Sequence, residues 1–415
     1  MALGVVGPSN ATGRAGTRYR FGFVMEYTIG HVTFAKAMQR AVAEDPTVEA
    51  EWYFVEPAGS GFPATVPPFS LNYTLRTSAT ARRLVGRGSD LDALFMHTQT
   101  LGLFFLRVLR RLPTVISTDA TPRNLDEIGA AYGHEQGGQM AEELKRRLMS
   151  AILQGAAAVM PWSDWARRSM IDDYGVAPER CHLVRPGVDV AFWGGPRRGG
   201  HAGGVSPSDA GSPAEGSPVG GGEPGGHPAP QPRKPLRLVF VGGDFRRKGG
   251  DDLLAAVSAL RGEGRPVECD IVTKSQVPVM PGVRAHLDLS PGDPALRDLV
   301  AGADVFVLPT RADALGWAIV EAMAAGTAVV SSRSGAIPEV VREGRTGLLV
   351  GPGDRAGLIG ALRALADDRG LCRRMGEEGA RVAAEEFDLS TNGRRVLDLL
   401  KSVARPARSC EPARA

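Results

Sequence analysis

The chain has 415 residues, 43% of them hydrophobic, which is enough for two domains with ordinary globular cores. Its formal net charge of +3 is small for that length and gives no ground for a nucleic-acid partner. Cys181, Cys269, Cys372 and Cys410 form no CxxC pair, which fits a reducing, cytoplasmic setting, and no run of about 18 apolar residues is present to span a bilayer.

Met1 to Arg20 carries Gly, Ser, Thr and Arg without an apolar secretory core and reads as a loose leader. Phe21-Gly-Phe-Val-Met25 is the first strand, and the loop after it holds Gly30 and His31. A helix is expected from Thr33 to Glu44, where Phe34, Ala37, Met38 and Ala41 recur at helical spacing. Strand, Gly-bearing loop and helix make a Rossmann-like opening; His31 suits a phosphate or acceptor contact and, equally, a plain helix start. Glu51-Trp-Tyr-Phe-Val55 is a second strand, followed by a Pro- and Gly-rich loop from Glu56 to Phe69.

Asp92-Ala-Leu-Phe-Met96 is another strand and ends at His97, placed among the cleft residues. The Asp90 and Asp92 pair precedes that strand, so it points away from the cleft and reads as solvated surface. Leu101 to Leu112 reads as an apolar helix with a basic edge. Packing on the sheet is the preferred account of it, with peripheral membrane contact as the alternative. Pro113-Thr-Val-Ile-Ser117 is a strand, and Asp119 and Thr121 follow it at the carboxyl end, where ligands of open α/β sheets gather. Asp119 suits an acceptor hydroxyl, or else satisfies its own turn. The segment from Gly129 through Tyr132 to His134 lies close behind. Ala157 to Pro161 with Ser163 gives a strand and a helix cap, and Cys181 to Asp189 a last short strand and turn.

From Gly194 the chain is Gly, Pro, Ser and Ala with scarcely a bulky apolar side chain, which predicts a disordered linker over 194–235. Leu236 to Val241 opens a second domain. It leads into Gly242-Gly-Asp-Phe-Arg246-Arg-Lys248-Gly-Gly250 and a helix from Asp251 to Arg261. Three bases between glycines, after a strand and before a helix, suit a diphosphate: Gly243 admits close backbone approach, and Arg246, Arg247 and Lys248 neutralise charge. Glu268 to Val272 is a strand with Thr273 and Lys274 at its end, placed as candidates to border the base if a nucleotide binds. Val305-Phe-Val-Leu-Pro309 is a buried strand, followed by a loop with Asp313 and a helix from Leu315 to Ala325.

The backbone of Leu315, Gly316 and Trp317 at that helix start suits a diphosphate. Glu321 lies roughly 7 Å further along the axis, a fitting offset for a sugar's vicinal hydroxyls. On spacing alone, Asp313 equally suits a cap. Glu321 sits among Ile319, Val320, Ala322, Met323 and Ala324, where an unpaired carboxylate is costly.

Asp313, seven residues, Glu321, then Ala-Met-Ala-Ala-Gly-Thr-Ala-Val-Val330 and Gly335-Ala-Ile-Pro-Glu339 on to Asp354, resembles the signature of retaining glycosyltransferases of family 4. The resemblance extends to the first domain through Ser163, Tyr174-Gly-Val and Pro186-Gly-Val-Asp189. It implies an α/β GT-B fold, two Rossmann-like domains facing each other across a cleft. The expected organisation is an acceptor domain over 21–193, a donor domain over 236–386, a helix over 387–402 crossing back to the first domain, and a tail over 403–415.

In the resembled family the first acid contacts the transferred sugar and the second the donor ribose, roles that pass to Asp313 and Glu321. The family's first acid is usually Glu; here it is Asp. The family's phosphate Lys is matched by Lys248, while its Arg position holds Gly243 or Asp244, with Arg246 or Arg247 supplying the charge. The resemblance implies a hexose moving with retention from a nucleoside-diphosphate sugar to a hydroxyl acceptor, with no cofactor and no divalent metal. A GT-B sugar-nucleotide epimerase and a non-catalytic sugar-nucleotide-binding protein are the alternatives.

Overall fold

The computed structural model describes residues 18–27, 29–56, 69–86, 90–132, 138–195 and 234–405. Most of the expected leader, the expected linker and tail, the Tyr132 side chain, His134 and Cys410 lie outside them.

The first domain alternates β1 (Tyr19–Glu26), α1 (Ile29–Ala43), β2 (Val48–Val55), α2 (Phe69–Val85), β3 (Ala93–His97), α3 (Leu106–Leu109), β4 (Thr114–Thr118), α4 (Pro122–Ile128), α5 (Gln139–Gly155), β5 (Ala158–Pro161), α6 (Asp164–Asp172) and α7 (Val190–Trp193). Its five strands pair in parallel in the order β2-β1-β3-β4-β5. Strands buried on both faces read as continuous apolar runs, which is why Phe21, Phe23, Phe95, Val115 and Ile116 were legible.

The second domain holds β6 (Leu236–Val241), α8 (Gly250–Gly262), β7 (Val267–Val272), β8 (Val283–His286), α9 (Pro294–Gly302), β9 (Val305–Leu308), α10 (Trp317–Ala324), β10 (Ala328–Ser332), α11 (Ile337–Val340), β11 (Gly347–Val350), α12 (Arg355–Asp367) and α13 (Arg369–Glu386). Its sheet is parallel in the order β11-β10-β9-β6-β7-β8. A last helix, α14 (Leu389–Val403), packs on α1 of the first domain, where Lys401 Nζ lies 2.6 Å from Asp45. At the crossing, Val188 N–H donates to the Phe387 carbonyl (2.7 Å) and Leu389 N–H to that of Val188 (3.0 Å).

Both sheets reverse strand order beside their first strand, between β1 and β3 and between β6 and β9, and it is outside the carboxyl ends at such points that open α/β sheets bind ligands.

Four local expectations are corrected. The first helix starts at Ile29, so Gly30 and His31 occupy its first turn rather than a loop. Leu101 to Leu112 is a 3-10 segment (Gln99–Phe105) followed by the single turn α3. There Gly102 lies so close to α5 that an added Cβ would stand 2.4 Å from Ile152. Cys181 to Asp189 makes single bridges, to Val159 and to Asp388, instead of a strand. Asp92 is buried, not solvated; its carboxylate accepts the Arg20 N–H at 2.8 Å.

Candidate active site

In the second domain the loops after β6 and β9 are stitched into one unit. Arg311 N–H donates to the Arg247 carbonyl (2.8 Å), and the Arg247 guanidinium donates back to the Ala312 carbonyl (2.7 Å). Gly249 closes the first loop at φ +82°, and a Cβ there would lie 2.0 Å from the Pro309 carbonyl oxygen. Gly249→Ala is therefore expected to destabilise the domain by about 1–3 kcal/mol or more, through left-handed strain plus a backbone clash. Thermal unfolding reads this as a lower Tm.

Out of this unit project Lys248 and Asp313, which form an ion pair across the β6/β9 switch point with both side chains largely buried. Arg247 is anchored, its Nε 3.0 Å from Asp244 Oδ2, whereas the Arg246 side chain is exposed. Gly243 is exposed on the same loop, and its carbonyl lies 3.5 Å from the Thr273 hydroxyl. Lys274 reaches instead to the Leu287 and Leu289 carbonyls, at 3.1 and 3.4 Å.

Helix α10 begins at Trp317, two residues later than expected, after Gly316 in the left-handed region at φ +77°. Leu315 is buried below it. The Trp317 and Ala318 amides, first in the helix, have no intrahelical acceptor. One turn on, burial pushes the Glu321 carboxyl up to about 8. The Trp317 indole N–H leans toward Glu321 and opposes that shift, yet it is buried and meets no acceptor at hydrogen-bond geometry.

Across the cleft, the β1/β3 switch point carries a second group. Glu26, buried at the end of β1, accepts hydrogen bonds from Tyr73 of α2, from Thr98 at 2.6 Å and from Thr100 at 3.1 Å. Sequence reasoning missed it, because its donors lie 47 to 74 residues away.

His97 is fully buried, with both ring nitrogens unpaired. Burial holds its pKa well below the ordinary value and the neighbouring His31 adds to that, so it is neutral. Its ring stacks on Trp162 (5.0 Å) and meets His31 edge-on (4.5 Å). Asp119 has its pKa raised by burial, with His31 opposing and Glu26 reinforcing the shift. Thr121 belongs to the scaffold: its hydroxyl caps α4 by accepting from Asn124 N–H and meets Ser169 Oγ at 2.7 Å. Among the described residues no three His, Cys, Asp or Glu side chains cluster at metal-ligand spacing.

The two faces meet where Trp162 approaches Trp317, ring centroids 5.9 Å apart. On the first-domain side Trp162 covers the buried His97 and lies beside His31, which in turn neighbours Asp119; on the second-domain side stands Trp317, next to Glu321, and the same domain carries the Lys248–Asp313 pair.

Residues 235–368 match the family profile described as "Glycosyl transferases group 1", and residues 32–187 match "Glycosyl transferase 4-like domain". The MMP alpha-(1→4)-mannosyltransferase of Mycolicibacterium hassiacum is 30% identical over 354 residues, which is 79% of this chain and 74% of that protein. The chain belongs to glycosyltransferase family 4. This family 4 chain is also 27% identical over 363 residues to the alpha-maltose-1-phosphate synthase of Mycobacterium tuberculosis, covering 80% of one and 85% of the other.

Among solved structures, sucrose-phosphate synthase from Thermosynechococcus elongatus superposes with a TM-score of 0.64 at 15% identity, over 93% of this chain and 99% of that one. Anabaena HepE, solved in complex with UDP and glucose, gives 0.60 at 14% identity, over 93% and 100%. At such identities the likeness shows the fold, which is GT-B. As a family 4 glycosyltransferase the protein acts on sugar-nucleotide or related donors, and neither the epimerase nor the non-catalytic reading is favoured. No helix of the described residues is long and apolar enough to cross a membrane.

Proposed function

We propose that the protein transfers a hexose, with retention of anomeric configuration, from a nucleoside-diphosphate sugar to a hydroxyl of a glycan, glycolipid or small-molecule acceptor. The observation that carries this is the Lys248–Asp313 pair at the switch point of the second domain, in the same domain as the half-buried Glu321. These groups suit the three parts of one donor. Lys248, the exposed Arg246 and the first amides of α10 take the diphosphate. Asp313 orients the sugar, and Glu321, ionised on binding, accepts both ribose hydroxyls. Thr273 and Lys274 border the base. The first-domain wall, with Gly30, His31 and Asp119, takes the acceptor; His97, expected among the cleft residues, is fully buried under Trp162 and supports that wall from behind. The likeness to a mannosyltransferase and to a maltose-1-phosphate synthase, and the HepE structure solved with UDP-glucose, support this class of substrate.

In the reaction the C1–O bond to the diphosphate breaks and its electron pair leaves with the phosphate. The acceptor oxygen bonds C1 on the same face, and its proton passes to the departing phosphate oxygen. No protein nucleophile is needed; Lys248 and the arginine edge stabilise the growing negative charge without a divalent cation. Arg247, tied to Asp244 and Ala312, acts by holding the loop rather than by direct contact. The buried, reduced Cys181, Cys269 and Cys372 accord with a cytoplasmic setting.

NMR of the product tests the stereochemistry. An α-linked donor is expected to give an α-linked product at a rate unchanged by EDTA, and a β-linked product or loss of rate in EDTA would count against the proposal.

A further inference from the structure

The helix α6 of the first domain has an N-terminus completed from the second domain. Ser163 caps it in the ordinary way, accepting the Ala166 N–H at 3.1 Å. The two remaining amides of that turn, Asp164 N–H and Trp165 N–H, donate to the two carboxylate oxygens of Glu339, each at 2.7 Å. Glu339 stands on α11, so this bidentate contact spans the cleft. A carboxylate at a helix start gains from both the charge-assisted bonds and the helix dipole.

The segment leading to Glu339 is the one that holds the Asp313 loop. Ser334 Oγ accepts the Asp313 N–H at 3.2 Å, and Ala336 N–H donates to the Ala314 carbonyl at 2.7 Å. Gly335, at φ +52°, lies so close that a Cβ there would stand 2.3 Å from the Asp313 carbonyl oxygen. Six residues, Ser334 to Glu339, thus grip the Asp313 loop by one hydroxyl and one backbone amide and the opposite domain by one carboxylate. Next to α6, Trp162 reaches Trp317 and stacks on His97.

We propose that Glu339 is a positioning residue that ties domain closure to the Asp313 loop, setting the distance between the donor grip and the acceptor wall. Opening the cleft detaches Glu339 from α6, and closing it restores both hydrogen bonds and brings Asp313 into register with the His31 and Asp119 side. This rests on the reading of the Asp313 loop as the sugar-side grip.

The test uses the full chain, with UDP, GDP and ADP as binding probes and turnover measured on the active donor. Glu339→Ala is expected to bind the preferred diphosphate within about threefold of wild type while kcat falls roughly 10- to 100-fold, the scale of a misplaced reacting group. Glu339→Gln, which keeps one acceptor oxygen, falls between the two. Asp164→Pro removes one of the two donors from the other domain. Proline is tolerated at the first helical position, and Ser163 before it is already extended (φ −147°, ψ 161°).

It should lower kcat in the same direction, and the double variant should be no worse than Glu339→Ala. Small-angle scattering in saturating diphosphate should show a larger radius of gyration for Glu339→Ala than for wild type. Wild-type turnover in Glu339→Ala overturns the proposal, as does a loss of diphosphate affinity parallel to the loss of kcat. If instead Asp313→Ala keeps wild-type turnover, the donor-loop reading has failed, whatever Glu339 does.

Discussion

Asp313→Ala is expected to lower turnover by about 100- to 1000-fold while leaving nucleoside-diphosphate affinity unchanged or improved. Asp313 neutralises Lys248, so on the proposed donor grip an incoming diphosphate competes with that carboxylate for the same ammonium group. Removing Asp313 frees Lys248 for the phosphates and deprives only the sugar of its partner. Lys248→Ala should behave differently. It leaves Asp313 as an unpaired, largely buried carboxylate beside the phosphate site, so binding and turnover fall together. Steady-state kinetics paired with calorimetric titration separates the two patterns, and a common loss of affinity in both variants would argue that the pair is only a structural tie between the β6 and β9 loops.

Glu321→Ala carries the largest expected effect on binding. Two hydrogen bonds from ribose hydroxyls to a carboxylate contribute roughly 3 kcal/mol or more together, so donor affinity should fall by at least about 100-fold. The raised carboxyl adds a pH signature. In the free protein the group is mainly protonated below about 8, and a hydroxyl pair is best accepted by the ionised form. Donor affinity should therefore rise with pH between about 6 and 8, by at most tenfold per unit, and level off above; Glu321→Gln should be flat.

Stability runs the other way. The unfolded carboxyl titrates near 4.5 and the folded one near 8, so between those values the folded state holds the extra proton. Stability then falls as pH rises through that window, and Glu321→Gln removes the fall.

Much of this candidate site was legible as sequence because its residues break a local rule. A carboxylate on an otherwise apolar helix marked Glu321, and three consecutive bases between glycines after a strand marked the Lys248 loop. Strands such as β1 and β9 were legible as short continuous apolar runs. What escaped depended on distant partners. Glu26 looked like the first residue of a loop until Tyr73, Thr98 and Thr100 were brought to it, and Asp92 looked solvated until the Arg20 amide was. Glu339 was visible only as part of a motif, because the amides that it accepts lie 174 and 175 residues earlier in the other domain. The edge strand β8, with no buried residue and only Val283 and Ala285 apolar, carried no pattern to read.

The most direct test of the donor grip is calorimetric titration of UDP-, GDP- and ADP-linked hexoses against the wild type, Asp313→Ala and Glu321→Ala. The account predicts that at least one donor binds the wild type, still binds Asp313→Ala and is lost from Glu321→Ala; donor affinity unchanged in Glu321→Ala would contradict it.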